Sequence, residues 1–221
     1  MSDYLADINK ELCEVSGAGD CARLRELLEA GADPNTGGNK SRYSALDSAA
    51  KHGQNETLKI LLEAGADVNT HEKYKRTPLH IAADKGHKET VRILVEAGVD
   101  VSMKDKEERT ALHRAAKNGN NETVKILIEA GAAVNMTDMY EKTPLHMAAK
   151  DGHYETMKIL LEAGADVSVM DKEGRTALHR AAWNRHDKTV EMLLYYGAEP
   201  NTGDLHDYNI TRLEFDIEKI N

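Results

Sequence analysis

The sequence predicts an all-α solenoid of stacked helix-turn-helix units, because the chain repeats itself every 33 residues. The clearest repeated element is the motif Thr-Pro-Leu-His-Ile-Ala-Ala at 77–83. Its later copies, and one degraded earlier copy, occupy 110–116, 143–149, 176–182 and 44–50. A glycine keeps the same step at Gly98, Gly131, Gly164 and Gly197. Self-similarity at this period is typical of an array in which each unit packs against its neighbours.

Each unit contains the signals for two short helices. The hydroxyl of Thr77 is suited to cap the first helix, and Pro78 suits the first helical position. Leu79 and Ala82 begin a narrow apolar stripe on that helix. The second helix ends near Gly98, where a left-handed residue is favoured. Because helices of about 10 residues are marginal alone in water, we expect neighbouring units to bury each other's apolar faces.

The period of 33 residues and the Thr-Pro-Leu-His motif resemble those of the ankyrin repeat family. The resemblance extends over residues 20–202 and gives about six repeats. It implies an ankyrin-repeat solenoid in which projecting β-hairpin loops connect one helix pair to the next. The polar stretch 100–109 is consistent with such a loop.

We expect residues 1–221 to form a single ankyrin repeat domain. Its predicted parts are an N-terminal capping repeat at 1–36, a divergent repeat at 37–70, four regular repeats at 71–202 and a C-terminal segment at 203–221. The C-terminal segment is either a half-repeat that covers the last helix pair or a tail that docks elsewhere through Tyr208 and Phe215. Matching residues also recur after 66 positions, which indicates the duplication of a two-repeat block.

The composition restricts the compartment and the class of partner. A net charge of −9 disfavours nucleic acid, whose phosphates need a basic surface, and favours solubility or a basic partner. No apolar run approaches the roughly 18 residues of a membrane span, and the acidic start does not resemble a secretory signal. The two cysteines, Cys13 and Cys21, do not indicate a disulfide framework. We therefore expect a monomer in the cytoplasm, with the nucleus as a second location, and neither a membrane nor a nucleic-acid partner.

The repeat itself explains the residues that could otherwise suggest chemistry. One motif position is always histidine in the regular repeats, at His80, His113, His146 and His179. The ankyrin resemblance implies that this histidine bonds to neighbouring backbone. Zinc normally needs three or four convergent ligands, and neither such a set nor a catalytic triad stands out. We therefore expect no metal site, no cofactor and no enzymatic activity.

Three features depart from the family pattern. The second helices carry a threonine where an aliphatic residue is usual, at Thr57, Thr90, Thr123, Thr156 and Thr189. We expect these hydroxyls to bond within their own helices. The glycine of the hairpin turn survives at Gly174 but is replaced by Lys75, Glu108 and Glu141, and Arg185 replaces a glycine between helices. A side chain at these positions costs stability if the turn keeps a positive φ.

The ankyrin resemblance also implies where a partner binds: at the hairpin tips and on the exposed side of each first helix, which line a concave groove. The candidates at those positions are Tyr74, Ile81, Lys85, Lys106, Arg114, Lys117, Asn118, Met139, Tyr140, Met147, Lys150, Asp151, Lys172, Arg180, Trp183 and Asn184. Trp183, the only tryptophan, is either a binding anchor or buried under the C-terminal tail. If the groove is functional, replacing Trp183 or Arg180 by alanine is expected to weaken binding with little change in melting temperature.

The predicted function is that of a non-catalytic protein–protein interaction module. Such a module acts as an adaptor, as a scaffold or as an inhibitor that masks the surface of its partner. The alternative is a scaffold or substrate that is regulated by asparagine hydroxylation. For that alternative the candidates are Asn69 and Asn135, which occupy hairpin positions that asparagine hydroxylases modify in many ankyrin proteins.

Overall fold

A computed structural model describes residues 2–37 and 43–200 of the chain, and twelve α-helices lie within these two ranges. The helices are α1 (Ser2–Ala18), α2 (Cys21–Glu29), α3 (Ala45–His52), α4 (Asn55–Glu63), α5 (Pro78–Lys85), α6 (Lys88–Glu96), α7 (Ala111–Lys117), α8 (Asn121–Glu129), α9 (Pro144–Asp151), α10 (Tyr154–Glu162), α11 (Ala177–Trp183) and α12 (Asp187–Tyr195). The predicted C-terminal segment at 203–221, with Tyr208 and Phe215, lies outside the described residues.

The helices form two layers. In the first layer α1, α3, α5, α7, α9 and α11 each pack against the next member of that series. In the second layer α2, α4, α6, α8, α10 and α12 do the same, and the two helices of each repeat pack against each other. Leucines from both layers are buried in one continuous core, among them Leu79, Leu94, Leu112 and Leu127. This arrangement confirms the predicted all-α solenoid of helix-turn-helix units.

A tight turn connects each of the later helix pairs to the next. In one such turn Lys75 N donates to Glu72 O at 2.8 Å, and Glu72 N donates to Arg76 O at 3.1 Å. A single backbone hydrogen bond joins this turn to its neighbour, from Lys106 N to Tyr74 O at 2.9 Å. The described residues contain no β-strand, because one bond between neighbouring loops does not make a regular ladder.

Buried histidines join three of the repeats to the repeat that follows. His80 Nδ1 accepts a hydrogen bond from Thr77 N at 3.2 Å, so the ring is neutral and carries its proton on Nε2. That proton is donated to the carbonyl of Arg109 at 2.9 Å. The same bond joins His113 to Lys142 and His146 to Arg175, at 3.0 Å in both cases. The structural role that the resemblance implied is confirmed for His80, His113 and His146, and His179 Nδ1 accepts from Thr176 N at 2.9 Å within its own repeat.

Two of the buried threonines of the second helices form hydrogen bonds between repeats. Thr90 Oγ1 donates to Asn55 Oδ1 at 2.7 Å, and Thr156 Oγ1 donates to Asn121 Oδ1 at 2.5 Å. Each asparagine begins the second helix of the preceding repeat. The expectation of bonds within one helix is wrong for these two threonines, because stacking brings a polar acceptor from the neighbouring helix within reach.

Close stacking also explains the glycines between the two helices of a repeat. Gly119 has a φ of 67°, and a Cβ at this position would lie 2.6 Å from Nδ1 of His153. The His153 ring lies there because its Nε2 donates to the carbonyl of Lys117 at 3.0 Å. Arg185 adopts the same backbone conformation, with a φ of 58°. It belongs to the last repeat that the structure describes, and no later histidine within that part of the chain packs on it.

The hairpin turns retain a positive φ where glycine has been replaced. Glu108 has a φ of 58°, and Gly174, its equivalent one duplicated block later, has a φ of 71°. A left-handed conformation costs an L residue roughly 1–2 kcal/mol, and glycine adopts it without that cost. The turn at Glu108 is therefore less stable than the equivalent turn at Gly174.

We expect Glu108→Gly to raise the free energy of unfolding by about 1 kcal/mol, and Gly174→Ala to lower it by a similar amount. A Cβ at Gly174 would meet nothing within 4 Å, so its substitution reports backbone strain without a steric clash. Urea denaturation of both variants measures the two changes. Changes of the same sign would contradict this account, since the two positions are structural equivalents.

In the divergent repeat, Asp47 occupies the position that His80 has in the next repeat. It does not form the hydrogen bond to the following repeat that His80 forms. Its Oδ2 accepts from Ser44 N at 2.9 Å, but its buried Oδ1 has no hydrogen-bond partner among the described residues. By the offset of 29 residues seen at His80, the facing carbonyl belongs to Arg76. Burial raises the pKa of the Asp47 carboxyl to about 6, and the charge of Glu72 contributes in the same direction.

We expect Asp47→Asn to stabilise the fold at neutral pH. Because the folded pKa of Asp47 lies above its unfolded value, its contribution is fully present below pH 3.8 and is lost as the pH rises through about 6. An amide remains neutral and can donate to a carbonyl, so the variant gains about 1–3 kcal/mol over wild type near pH 8. Urea denaturation of both proteins should show this difference shrinking near pH 5. The exposed Asp151→Asn is the control, and a pH-independent gain for Asp47→Asn would refute the interpretation.

Candidate protein-binding face

We call the surface formed by the hairpin turns and the exposed ends of the first helices the hairpin face. Arg114 shows which side of α7 belongs to this face, because the Arg114 Nε donates to Oδ2 of Asp105 in the preceding turn at 3.1 Å. Residues three and four positions later lie on the same side of a helix, so Lys117 and Asn118 belong to this face. Asn118 Nδ2 donates to Asp84 Oδ1 at 3.2 Å, which places the ends of neighbouring first helices side by side.

Arginines neutralise the buried carboxylates of the hairpin turns. Arg114 binds Asp105 through Nε and Nη2, and its Nη2 also donates to Glu107 at 3.1 Å. Burial alone would raise the pKa of Asp105, but the hydrogen bond and charge of Arg114 hold it below its usual value. Arg109 spans two repeats, with its Nε 3.3 Å from Oδ2 of Asp138. One duplicated block later, Arg180 and Asp171 form the counterpart of the Arg114 pair.

Four of the proposed partner-binding residues are therefore engaged within the fold. Arg114 and Arg180 are bound to carboxylates that are almost fully buried. Ile81 and Met147 occupy the equivalent position in the alternate repeats, where they are only 4% and 7% exposed. A partner can reach little of these four side chains, so the expectation of a freely accessible side chain at this position does not fit the structure.

The other candidates are exposed on the hairpin face. The helix ends present Lys85, Lys117, Asn118, Lys150, Asp151, Trp183 and Asn184. The turns present Tyr74, Lys106, Met139, Tyr140 and Lys172. These twelve positions supply both apolar and charged groups for an interface.

Aromatic side chains provide the largest exposed apolar surfaces of this face. The Tyr74 ring has the ammonium groups of Lys73 and Lys106 at 4.8 and 5.6 Å from its centroid, distances typical of cation–π contacts. Tyr140 has a similar contact with Lys142 at 5.0 Å. Trp183 is 81% exposed. The tail that was the alternative explanation for Trp183 lies outside the described residues.

The two candidate hydroxylation sites bridge neighbouring repeats. Asn69 Oδ1 accepts from Asp100 N at 3.0 Å, and Asn135 Oδ1 accepts from Asp166 N at 2.9 Å. Asn135 Nδ2 also donates to Gly164 O at 3.2 Å. Both side chains are therefore engaged in the stacking of the solenoid.

Some exposed and charged groups of the structure were not among the sequence candidates. Tyr195, at the end of α12, is 79% exposed and makes an edge contact with Tyr196 at 5.5 Å between ring centroids. The pairing of Arg114 with Asp105 was also missed. The sequence did contain a signal for this pairing. One position of the first helix alternates between an apolar residue, Ile81 or Met147, and an arginine, Arg114 or Arg180.

Comparison with known families agrees with this architecture. Residues 65–138 and 112–204 match ankyrin repeats (three copies), and residues 27–82 match ankyrin repeats (many copies). The chain belongs to the ankyrin repeat family. No curated protein matches it.

Ankyrin repeats are generally protein–protein interaction modules. None of the helices in the described ranges is long and apolar enough to span a membrane. Among the same residues, no three metal-binding side chains of the His, Cys, Asp or Glu type converge. The hairpin face is thus the candidate site that both the ankyrin architecture and the exposed side chains support.

We expect Arg114→Ala to lower the stability of the fold, because it leaves the Oδ2 oxygen of buried Asp105 without its partner. Removing one member of a buried pair costs about 3–5 kcal/mol, and somewhat less here because Arg114 is partly solvated. Thermal and urea unfolding measure the loss. The exposed Lys117→Ala on the same helix should change stability by less than about 0.5 kcal/mol.

A double variant separates lost pairing from lost packing. Arg114→Met keeps an unbranched stem, and combining it with Asp105→Asn removes both charges. The double variant should recover much of the stability lost in Arg114→Met alone, because no unpaired charge stays buried. Equal losses in the single and the double variant would show that the ion pair does not carry the effect.

Proposed function

We propose that this ankyrin-repeat chain is a non-catalytic module that binds a partner protein at its hairpin face. The observation that carries the proposal is the exposure of Tyr74, Tyr140 and Trp183 on one continuous face. Tyrosine and tryptophan are enriched among the residues that dominate binding energy at interfaces. Exposed Met139 adds an adaptable apolar contact beside Tyr140.

The way in which the face is built supports binding with little loss of conformational entropy. Neighbouring turns are joined by backbone bonds, such as Met139 N to Glu107 O at 3.0 Å and Lys172 N to Tyr140 O at 3.0 Å. The carboxylates of the turns are held by arginines, as in the pair of Asp171 and Arg180. A partner therefore meets turns whose backbone is already positioned, which lowers the ordering cost of association.

Within this proposal the chain acts as an adaptor, a scaffold or an inhibitor that covers a surface of its partner. We further propose that it is a monomer when unbound and that it acts in the cytoplasm, with the nucleus as a second location. Cys13 and Cys21 are both free thiols in the structure, which suits a reducing compartment.

Regulation by asparagine hydroxylation is the second proposal, and it has less structural support. Asn135 uses both its amide oxygen and its amide nitrogen to bridge to the next repeat, and Asn69 uses its oxygen in the same way. An enzyme would have to open these contacts before it could reach either side chain.

The proposal predicts that Tyr140→Ala/Trp183→Ala loses its partner while the fold remains intact. Both side chains are exposed, so we expect a change in unfolding free energy of less than about 1 kcal/mol. Binding should weaken by at least about a hundredfold if the two residues are interface anchors. The partner is first captured from cell extract with the wild-type chain, and its affinity for each purified variant is then measured by calorimetry.

The matched control is Tyr154→Ala/Tyr195→Ala, which removes two exposed tyrosines from the second-layer helices α10 and α12. It should bind the partner like the wild type. If this control lost the partner and Tyr140→Ala/Trp183→Ala retained it, the binding site would lie on the second layer and the proposal would be wrong.

A further inference from the structure

Most carboxylates of the hairpin turns form ion pairs with arginines of the same fold. Asp105, Asp138 and Asp171 are almost fully buried and each is paired with an arginine. Glu107 is bound to Arg109 and Arg114 through short contacts. These acidic groups therefore contribute little negative charge to the surface that a partner meets.

Most lysines of the same face are not neutralised by a carboxylate, although Lys51 lies over the Tyr43 ring and Lys106 over the Tyr74 ring. No carboxylate of the described residues lies within the 4.0 Å of an ion pair from the ammonium groups of six lysines on the hairpin face. These are Lys51, Lys85, Lys106, Lys117, Lys150 and Lys172. The acidic side chains of this face that make no ion pair with another described residue are fewer: Glu141, Asp151 and Asp84, the last of which accepts from Asn118. The hairpin face thus combines arginines that neutralise buried carboxylates with lysines that no described carboxylate neutralises.

The negative charge of the protein is concentrated on other surfaces. Five of the second-layer helices end in an exposed glutamate, at Glu29, Glu63, Glu96, Glu129 and Glu162. The net charge of −9 therefore describes the whole chain and not its hairpin face. The net charge favoured a basic partner, and the second layer is the surface that is complementary in charge to one. The hairpin face is complementary in charge to an acidic partner.

The spacing of the lysines restricts the shape of an acidic ligand. Lys51, Lys117 and Lys150 occupy the same helix position in their repeats, and Lys85 lies one residue further along its own helix. Packed helices lie about 8–10 Å apart, and an extended chain advances about 3.3 Å per residue. One repeat therefore corresponds to about three residues of an extended ligand. Trp183 occupies this helix position in the repeat after Lys150.

We propose that the hairpin face binds an extended acidic segment of the partner protein, with carboxylates at about every third residue. These carboxylates contact Lys85, Lys117 and Lys150, and an apolar side chain one further step along contacts Trp183. This inference rests on the proposed function and specifies the chemistry of the partner.

Carboxylates fit this surface better than the phosphates of a nucleic acid. Duplex DNA carries one charge per about 1.7 Å of its axis, which is much denser than lysines spaced one repeat apart. Arginine is the side chain that binds phosphate in a bidentate way, and Arg114 and Arg180 are occupied by Asp105 and Asp171. The acidic second layer would also repel a polyanion as long as a nucleic acid.

The test uses a synthetic peptide of about twelve residues. It carries glutamate at every third position, serine and threonine between, and leucine at the end. Binding is followed by the anisotropy of a dye on the peptide and by the fluorescence of Trp183, the only tryptophan. The variant Lys85→Glu/Lys117→Glu/Lys150→Glu should bind at least about tenfold more weakly than wild type at low salt. Affinity should fall as salt shortens the Debye length below about 10 Å.

The matched control is Lys59→Glu/Lys125→Glu/Lys158→Glu, which makes the same change in net charge on three exposed lysines of the second layer. The control should retain binding within about threefold of wild type. Equal losses in both variants would overturn the proposal, because they would show a response to net charge alone. Tighter binding of a single-stranded oligonucleotide of equal charge would overturn it as well, in favour of nucleic acid.

The captured partner distinguishes this inference from the proposed function. Loss of the partner in the Lys85, Lys117 and Lys150 variant and in Tyr140→Ala/Trp183→Ala supports both. If the aromatic variant loses the partner and the lysine variant retains it, the acidic segment is wrong and the interaction face is right. If both variants retain the partner, both proposals fail.

Discussion

In three successive repeats a buried histidine uses both of its ring nitrogens, one within its own repeat and one on the next. At His80, Nδ1 accepts from the backbone of Thr77, and Nε2 donates to the carbonyl of Arg109. Burial keeps such a ring neutral, and it lowers the pKa of His113 to about 4. A repeat without its neighbour would leave a buried donor without an acceptor, so local capping and stacking are stabilised together.

Local signals account for the parts of the fold that the sequence predicted well. Thr77 and Pro78 begin a helix because of their own chemistry, and Gly98 ends one because it adopts a positive φ. Contacts between repeats were not predictable in the same way. The partner of Thr90 lies 35 residues away in Asn55, and nothing in the local sequence around Thr90 specifies it.

The candidate face was predictable by position but not by the state of each side chain. Trp183 is exposed as a binding residue needs to be, yet Arg180, on the same helix, is bound to Asp171. The repeat pattern indicates which positions face the turns. It does not indicate which of those side chains the turns themselves engage, and this division between engaged arginines and available lysines determines the charge that a partner meets.

The unmatched carboxylate at Asp47 has a consequence for how the solenoid opens. In a stacked array the stability is a sum of terms between neighbours, so the weakest junction determines where local unfolding begins. The junction at Asp47 lacks the donor that His80, His113 and His146 provide. Other bonds still cross this junction, such as the one from His87 Nε2 to the carbonyl of Lys51. Above the pKa of Asp47 we nevertheless expect this junction to open more readily than the junctions with a histidine bond, and the amide protons buried there to exchange sooner with solvent.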